Sequence, residues 1–163
     1  MNKPKVIDSF TGEYAFLSNF YDAIIHFGAF TYLNSEAAFQ AQKCIVEEDK
    51  RQFCDLPPGK AKRLGRKVML RKDWEDVKDE VMYRVVLAKF SQHPTLAQQL
   101  YDTRDAELIE GNDWNDTYWG VCNGVGKNKL GKILMKVRSD LPQLTRKLFD
   151  TPVEGGYSSV FKI

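Results

Sequence analysis

Histidine is nearly missing from this chain: His26 and His93 are the only two in 163 residues. A Cys–His or Ser–His–Asp nucleophile system would have to use one of them. His26 falls in an apolar, hairpin-like segment and His93 precedes Pro94 at an expected helix end, so both suit structural roles. In an enzyme of this composition, carboxylates are left to move the protons. Cysteine is as sparse. Cys44, Cys54 and Cys122 are odd in number, widely spaced and without a C-x-x-C pair. That pattern argues against a disulfide framework or a zinc site and for reduced thiols. Neither a metal nor a cofactor is called for. No run approaches the ~20 apolar residues that would span a bilayer, so no membrane partner is expected. Met1 to Lys5 leads into Asp8 and Glu13 without the apolar core of a signal peptide, and the expected address is the cytoplasm. Internal repeats and low-complexity stretches are absent as well.

What is present suits one soluble globular domain: 163 residues, 43% hydrophobic and 12% aromatic, enough to bury a core. The patterned part runs over about 10–141. The extension over 142–163 is less patterned, and Gly155-Gly156 suggests a loose end packed on the surface. Net charge is only +2, so the protein as a whole is no polycation and the distribution of charge is what informs.

The chain is organised around Asn34 to Lys43. Ser35 is the expected N-cap of a helix, and Glu36 sits in the first turn, where the helix dipole favours a carboxylate. At 3.6 residues per turn, Glu36, Gln40 and Lys43 share one stripe and Ala38, Ala41 and Ile45 the opposite one. The helix is expected to end near Glu48. Its polar stripe has two readings. One is a solvated face. The other follows from Ala23 to Leu33, nearly uncharged and rich in aromatics: a carboxylate held against a core and suited to acid–base work.

Before this helix, Tyr14 to Leu17 is strand-like, and Ile24–Phe27 and Phe30–Tyr32 flank Gly28-Ala29 as a hairpin. After it, Pro58 opens a short helix through Arg66. Lys60, Lys62, Arg63, Arg66, Lys67, Arg71 and Lys72 form a run with no acid among them, either a solvated face or a phosphate-attracting patch. Asp73 is expected to cap the best-patterned helix, with Trp74, Val77, Val81, Val85 and Ala88 at helical spacing up to Phe90. Trp74 reads equally as a core aromatic or as a stacking plate beside the basic run. A helix over Thr95 to Tyr101 and a short strand or turn at Glu107–Glu110 come next. The polar, aromatic loop Asn112–Gly120 follows, then Gly124–Gly131, weak as a phosphate-binding motif. Leu130, Ile133, Leu134, Val137 and Leu141 mark a final helix. The fold class is α+β, mainly helical, with a small N-terminal β element.

Taken in order, these segments resemble the NADAR family, which includes the YbiA-like proteins of bacteria. The resemblance covers about Tyr14 to Leu141. It rests on Phe16-Leu17-Ser18-Asn19-Phe20-Tyr21, on Ser35-Glu36 with Phe39-Gln40-Ala41-Gln42-Lys43, and on Ala61-Lys62-Arg63-Leu64-Gly65-Arg66. Arg71-Lys72-Asp73-Trp74, Asp116-Thr117-Tyr118-Trp119-Gly120 and Gly126-Lys127-Asn128-Lys129-Leu130-Gly131 complete it. Many relatives carry a histidine after the motif glutamate, where this chain has Ala37.

The resemblance implies a compact YbiA-like domain with N-glycosidase chemistry on a ribosylated substrate. That substrate is either a small phosphoribosylaminopyrimidine of the riboflavin pathway or ADP-ribosyl-guanine in nucleic acid. It ties activity to Glu36, Trp74 and Asp116, and marks Asn19, Phe20, Gln40, Lys43, Arg63, Arg66, Trp119, Gly120 and Asn128 as substrate-binding residues. Glu36 would activate water or stabilise the cation, and Asp116 would orient the ribose or protonate the base; the division can be reversed. Two other classes use the same residues differently: a non-catalytic reader of ADP-ribose, and a nucleic-acid binder working through Lys60–Lys72 alone, with a steep salt dependence.

Overall fold

The computed structural model describes residues 5–150, with side chains through 145. Six short strands and five helices make it up: β1 (Val6–Ile7), β2 (Asp22–Phe27), β3 (Phe30–Asn34), α1 (Ser35–Ala41), α2 (Pro58–Gly65), α3 (Trp74–Gln92), α4 (Pro94–Asp102), β4 (Glu107–Leu108), β5 (Gly111–Asn112), β6 (Val121–Cys122) and α5 (Lys129–Asp150). Helix predominates, as the α+β, mainly helical reading expects.

The hairpin is where the spacing put it. β2 and β3 pair antiparallel through Phe27 and Phe30, with Gly28 at φ +59° in the turn. Side chains alternate with period two: Ala23, Ile25 and Tyr32 point into the core, while Asp22, Ile24 and Thr31 face out. Both histidines serve this element. His26 Nδ1 is 2.7 Å from Thr31 Oγ1, and His93 Nε2 is 2.7 Å from the Ile24 carbonyl oxygen.

The other two pairings are parallel. β1 lies parallel to β4, Val6 opposite Glu107 and Ile7 opposite Leu108. β5 lies parallel to β6. Strands two residues long carry no readable alternation: the strand or turn expected at Glu107–Glu110 holds β4, and β5 and β6 add β structure beyond the N-terminal element.

Four further expectations change. Residues Gly12–Leu17 form a 3-10 turn, not a strand. The buried Lys89 of α3 closes that turn, donating from Nζ to the carbonyls of Phe16 at 2.6 Å and Ser18 at 2.9 Å. The cap of α1 is Asn34, whose Oδ1 accepts from Ala37 N at 2.8 Å; Ser35 is the first helical residue. α1 ends at Ala41, leaving Ile45 exposed, and a separate 3-10 turn spans Glu47–Phe53. Finally, α5 runs through Pro142 to Asp150, past the expected end at Leu141. The expectation for Gly155-Gly156 lies outside the described residues.

α3 is the central beam. It packs on α1, on β2 and along α5, so it is enclosed on more than one side. Its buried residues are therefore Trp74, Met82, Val85, Val86, Lys89 and Phe90, with Val77 and Val81 at the edge. Asp73 precedes it, but its carboxylate is taken by Arg71 (Nε to Oδ1 2.6 Å) and makes no cap bond.

Candidate active site

Asn34, at the end of β3, starts α1 inside the protein, and this decides the fate of Glu36. The Glu36 N–H donates to the Asn19 carbonyl at 3.1 Å, which ties the helix start to the turn after Leu17. Glu36 is 7% exposed and Gln40 6%, so the polar stripe is not a solvated face. Gln40 Nε2 donates to Glu36 Oε1 at 2.7 Å across one helical turn. Gln40 is itself confined, because α2 crosses α1 at Gly65. A Cβ on Gly65 would stand 1.9 Å from Gln40 Oε1.

Burial raises the Glu36 carboxyl above the ordinary range. The Gln40 bond and the charges of Lys62 and Lys43 pull it back down, and Asp116 pushes it up. Lys43 answers in kind: burial lowers its pKa, Glu36 raises it, and Arg66 and Lys62 lower it further. A carboxylate so placed is poised to take a proton.

An aromatic wall stands beside it. Phe39 of α1 packs on Trp74 (centroids 5.1 Å apart) and edge-on to Trp119 (5.3 Å, 83°), which meets Tyr118 at 4.9 Å and 85°. Trp74 is 5% exposed and yet lines the cavity, so its two readings are compatible. Lys43 Nζ lies 5.7 Å from its ring centroid.

The loop between β5 and β6 brings in the second carboxylate. Asn112 is its hub: Oδ1 accepts from Asp116 N at 3.0 Å and Nδ2 donates to the Asp116 carbonyl at 2.8 Å. Asp116 Oδ1 in turn accepts from the N–H groups of Tyr118 (3.1 Å) and Trp119 (2.9 Å). The carboxylate is thereby fixed in place as an acceptor. Tyr118 is anchored from the far side by Asp79, which also pairs with Lys129 at 2.8 Å.

These parts enclose one cavity of about 1030 Å³, at the upper end of the roughly 300–1,000 Å³ range of small-molecule sites. Glu36, Asp116, Trp74, Asn19, Phe20, Gln40, Lys43 and Trp119 all line it. Four residues marked as substrate-binding do not. Arg63 and Arg66 are exposed on α2, because the face of that helix turned to the cavity presents Lys62 instead. Gly120 and Asn128 are buried behind the wall.

Sequence reasoning also missed cavity residues. Lys62 stands at the rim, 5.9 Å from the Phe20 ring centroid and 6.0 Å from that of Trp114; both rings are largely exposed. Its place in the basic run was visible, but not which lysine of the run turns inward. Glu110, at the end of a segment read only as a strand or turn, also lines the cavity, as do Asp8 and Asp113. Among the described residues no group of His, Cys, Asp and Glu could hold a metal ion, and no helix is long and apolar enough to cross a membrane.

Comparison with known proteins matches residues 8–142 to the NADAR domain. N-glycosidase YbiA of Shigella flexneri serotype 5b is 41% identical over 137 residues, covering 82% of this chain and 85% of that protein. Riboflavin biosynthesis protein VVA0006 of Vibrio vulnificus is 38% identical over 135 residues, 80% of this chain but 36% of that one. The NMR structure of the Escherichia coli protein YbiA superposes with a TM-score of 0.75 at 36% identity, covering 93% of this chain and 92% of the other.

Proposed function

This chain belongs to the NADAR family and is an N-glycosidase, a hydrolase of N-glycosyl bonds; from that premise we propose that it cleaves the bond between ribose and a planar nitrogenous base, with Glu36 as the base that activates water. The observation that carries this reading is a buried Glu36, held by Gln40 and acted on by the charges of Lys62 and Lys43, in the same cavity as a fixed Asp116 and the Trp74 ring.

Cleavage of a ribosyl C–N bond passes through an oxocarbenium-like state, as O-glycoside hydrolysis does. Positive charge grows at the anomeric carbon while the base departs with the bonding electrons. Asp116, whose Oδ1 is held by two backbone N–H groups, suits the stabilising and ribose-orienting role better than proton donation. Glu36 takes a proton from water as its oxygen closes on the same carbon. Trp74 offers a face to the base, and Lys62 and Lys43 meet phosphate, with Arg63 and Arg66 adding positive potential outside.

Two substrates fit these demands. A phosphoribosylaminopyrimidine is favoured by the likeness to a riboflavin biosynthesis protein. ADP-ribosyl-guanine in nucleic acid is favoured by the size of the cavity and by the exposed Phe20 and Trp114 on its rim. The functional core is taken as about 10–141, and the three free thiols suit a cytoplasmic address.

The test is a parallel hydrolysis assay of wild type and Glu36→Gln on both substrates, with the released base read by mass spectrometry. Glu36-dependent release from the oligonucleotide or from the pyrimidine identifies the substrate. Wild-type turnover by a folded Glu36→Gln protein removes Glu36 from the mechanism.

A further inference from the structure

Bond cleavage needs a proton as well as a base for water. The departing nitrogen leaves with an electron pair, and a proton must reach the leaving base for it to depart neutral. In the proposed step Glu36 receives a proton from water, so it cannot donate one as well. Asp116 Oδ1 accepts from two backbone N–H groups, which favours the ionised carboxylate over a proton donor. A third group is needed, and of the remaining carboxyl groups in the lining Asp8 and Asp113 are exposed while Glu110 is half-buried.

Resting on the reading of this cavity as a glycosidase site, we infer that Glu110 is the general acid, donating its carboxyl proton to the leaving base while Glu36 accepts a proton from water. Four observations support it. Glu110 lines the same cavity as Glu36 and Asp116. Its Oε2 is shut off from solvent and has no hydrogen-bond partner among the described residues, so one carboxyl oxygen in the cavity wall is left unsatisfied until a turn of the side chain brings it to a substrate atom. Glu36, by contrast, already accepts a bond from Gln40. The charged groups that act on Glu110 are Asp116 and Glu36, both negative, against the single lysine Lys62; Asp8, Lys43, Lys78 and Asp113 complete the charged lining. With burial acting first and the two carboxylates next, its pKa is pushed up to about 8, so the proton is present at neutral pH.

The fourth observation concerns Gly120 and Asn128, the two motif residues that lie outside the cavity. Both converge on the backbone of Glu110. Asn128 Oδ1 accepts from Glu110 N at 3.0 Å while its Nδ2 donates to the Leu108 carbonyl at 2.9 Å. The Glu110 carbonyl accepts from Val121 N at 2.8 Å, and a Cβ on Gly120 would lie 2.2 Å from that carbonyl oxygen. Asn128 and Gly120 are thus positioning residues for Glu110, not substrate contacts.

The step balances. The C–N bond breaks with its electrons passing to the leaving base, which takes the Glu110 proton. A C–O bond forms from water, whose proton goes to Glu36. The products are ribose hydroxyl and free base, with Glu110 ionised and Glu36 protonated, and exchange with solvent resets both.

The experiment measures kcat and KM from pH 5.5 to 9.5 on whichever ribosylated substrate the wild type turns over, for wild type, Glu110→Gln and Glu36→Gln. Glu110→Gln preserves shape and neutrality but has no proton to give. It is expected to lower kcat about 100-fold or more, within the 10²–10⁴ typical of general acid catalysis, with KM changed less than about threefold. Wild-type kcat should fall on the alkaline side with an apparent pKa near 8, and that fall should vanish in Glu110→Gln. Glu110→Gln activity within about threefold of wild type overturns the inference. So does a reduced activity that keeps the alkaline fall. If the variant does not fold, the wild-type profile decides: a kcat flat to pH 9.5 removes Glu110 as acid. Loss of activity in Glu110→Gln with Glu36→Gln fully active would sink the assignment of Glu36 and leave that of Glu110 standing.

Discussion

Asn128 grips both ends of the short step from Leu108 to Glu110, donating to one carbonyl and accepting from the other residue's N–H. It sits just before α5 with φ +50°, a left-handed conformation that asparagine tolerates better than most residues. One side chain therefore couples the start of the last helix to the cavity wall. Asn128→Ala should cost about 1–3 kcal/mol, the range for buried groups left unpaired, and lower kcat more than it raises KM. Urea unfolding together with steady-state kinetics checks both halves.

Gly65 should report on Glu36 without touching it. Alanine at position 65 would displace the Gln40 amide, whose oxygen is 1.9 Å from where the new Cβ would lie, and break its bond to Glu36. Because glycine is a poor helix former, by roughly 1 kcal/mol relative to alanine, global stability should change little while activity drops about tenfold or more. Thermal melting unchanged within a few degrees alongside that drop is the expected result.

Glu110 makes folding take up a proton. Its carboxyl holds a proton to about pH 8 when folded, against an ordinary value of 4.5. The folded state therefore binds more protons than the unfolded one between those values, and stability falls as pH rises through that window. Melting temperature followed from pH 5 to 9 should decline in the wild type and decline less in Glu110→Gln.

Lys89 carries a different load. Its Nζ lies 5.4 Å from the Tyr21 ring centroid and 5.2 Å from that of Phe90, besides holding the Phe16 and Ser18 carbonyls. Burial drives its pKa down to about 7, while those two carbonyl acceptors favour the ammonium form. Lys89→Met should destabilise by about 2–4 kcal/mol, since two buried acceptors lose their donor. It should also raise KM by loosening Asn19 and Phe20. Denaturant midpoints and KM read the two effects separately.

The sequence carried the elements whose periodicity is long enough to show. The hairpin, α2, α4 and the outer bounds of α3 follow from alternation, from Pro58 and Pro94, and from helical spacing. The stripe of Glu36, Gln40 and Lys43 is legible for the same reason. Glu110 was not, because its place in the wall depends on the pairing of β4 with β1 from the far end of the chain and on the parallel β5–β6 pairing beside it. Nor does spacing say that Asn34 rather than Ser35 caps α1: both residue types suit the position, and tertiary contacts made the choice. Arg63 and Arg66 show the converse limit. A run of cations reveals its charge but not which member faces inward, and here one turn of α2 selects Lys62.

β1 has a consequence for how the protein comes into being. Val6 and Ile7 find their partners only at Glu107 and Leu108, about a hundred residues downstream, and Asn128 must arrive later still to lock Glu110. A chain emerging from the ribosome has Glu36, Gln40 and Trp74 in hand long before the wall that completes their chamber exists. Contacts of such sequence separation form slowly, since the loop between them must close first. Synthesis therefore imposes an order on competence: Glu36, Gln40 and Trp74 come first, the wall of Glu110, Asp116 and Trp119 later, and a fragment that stops short of Asn128 lacks the lock on the acid.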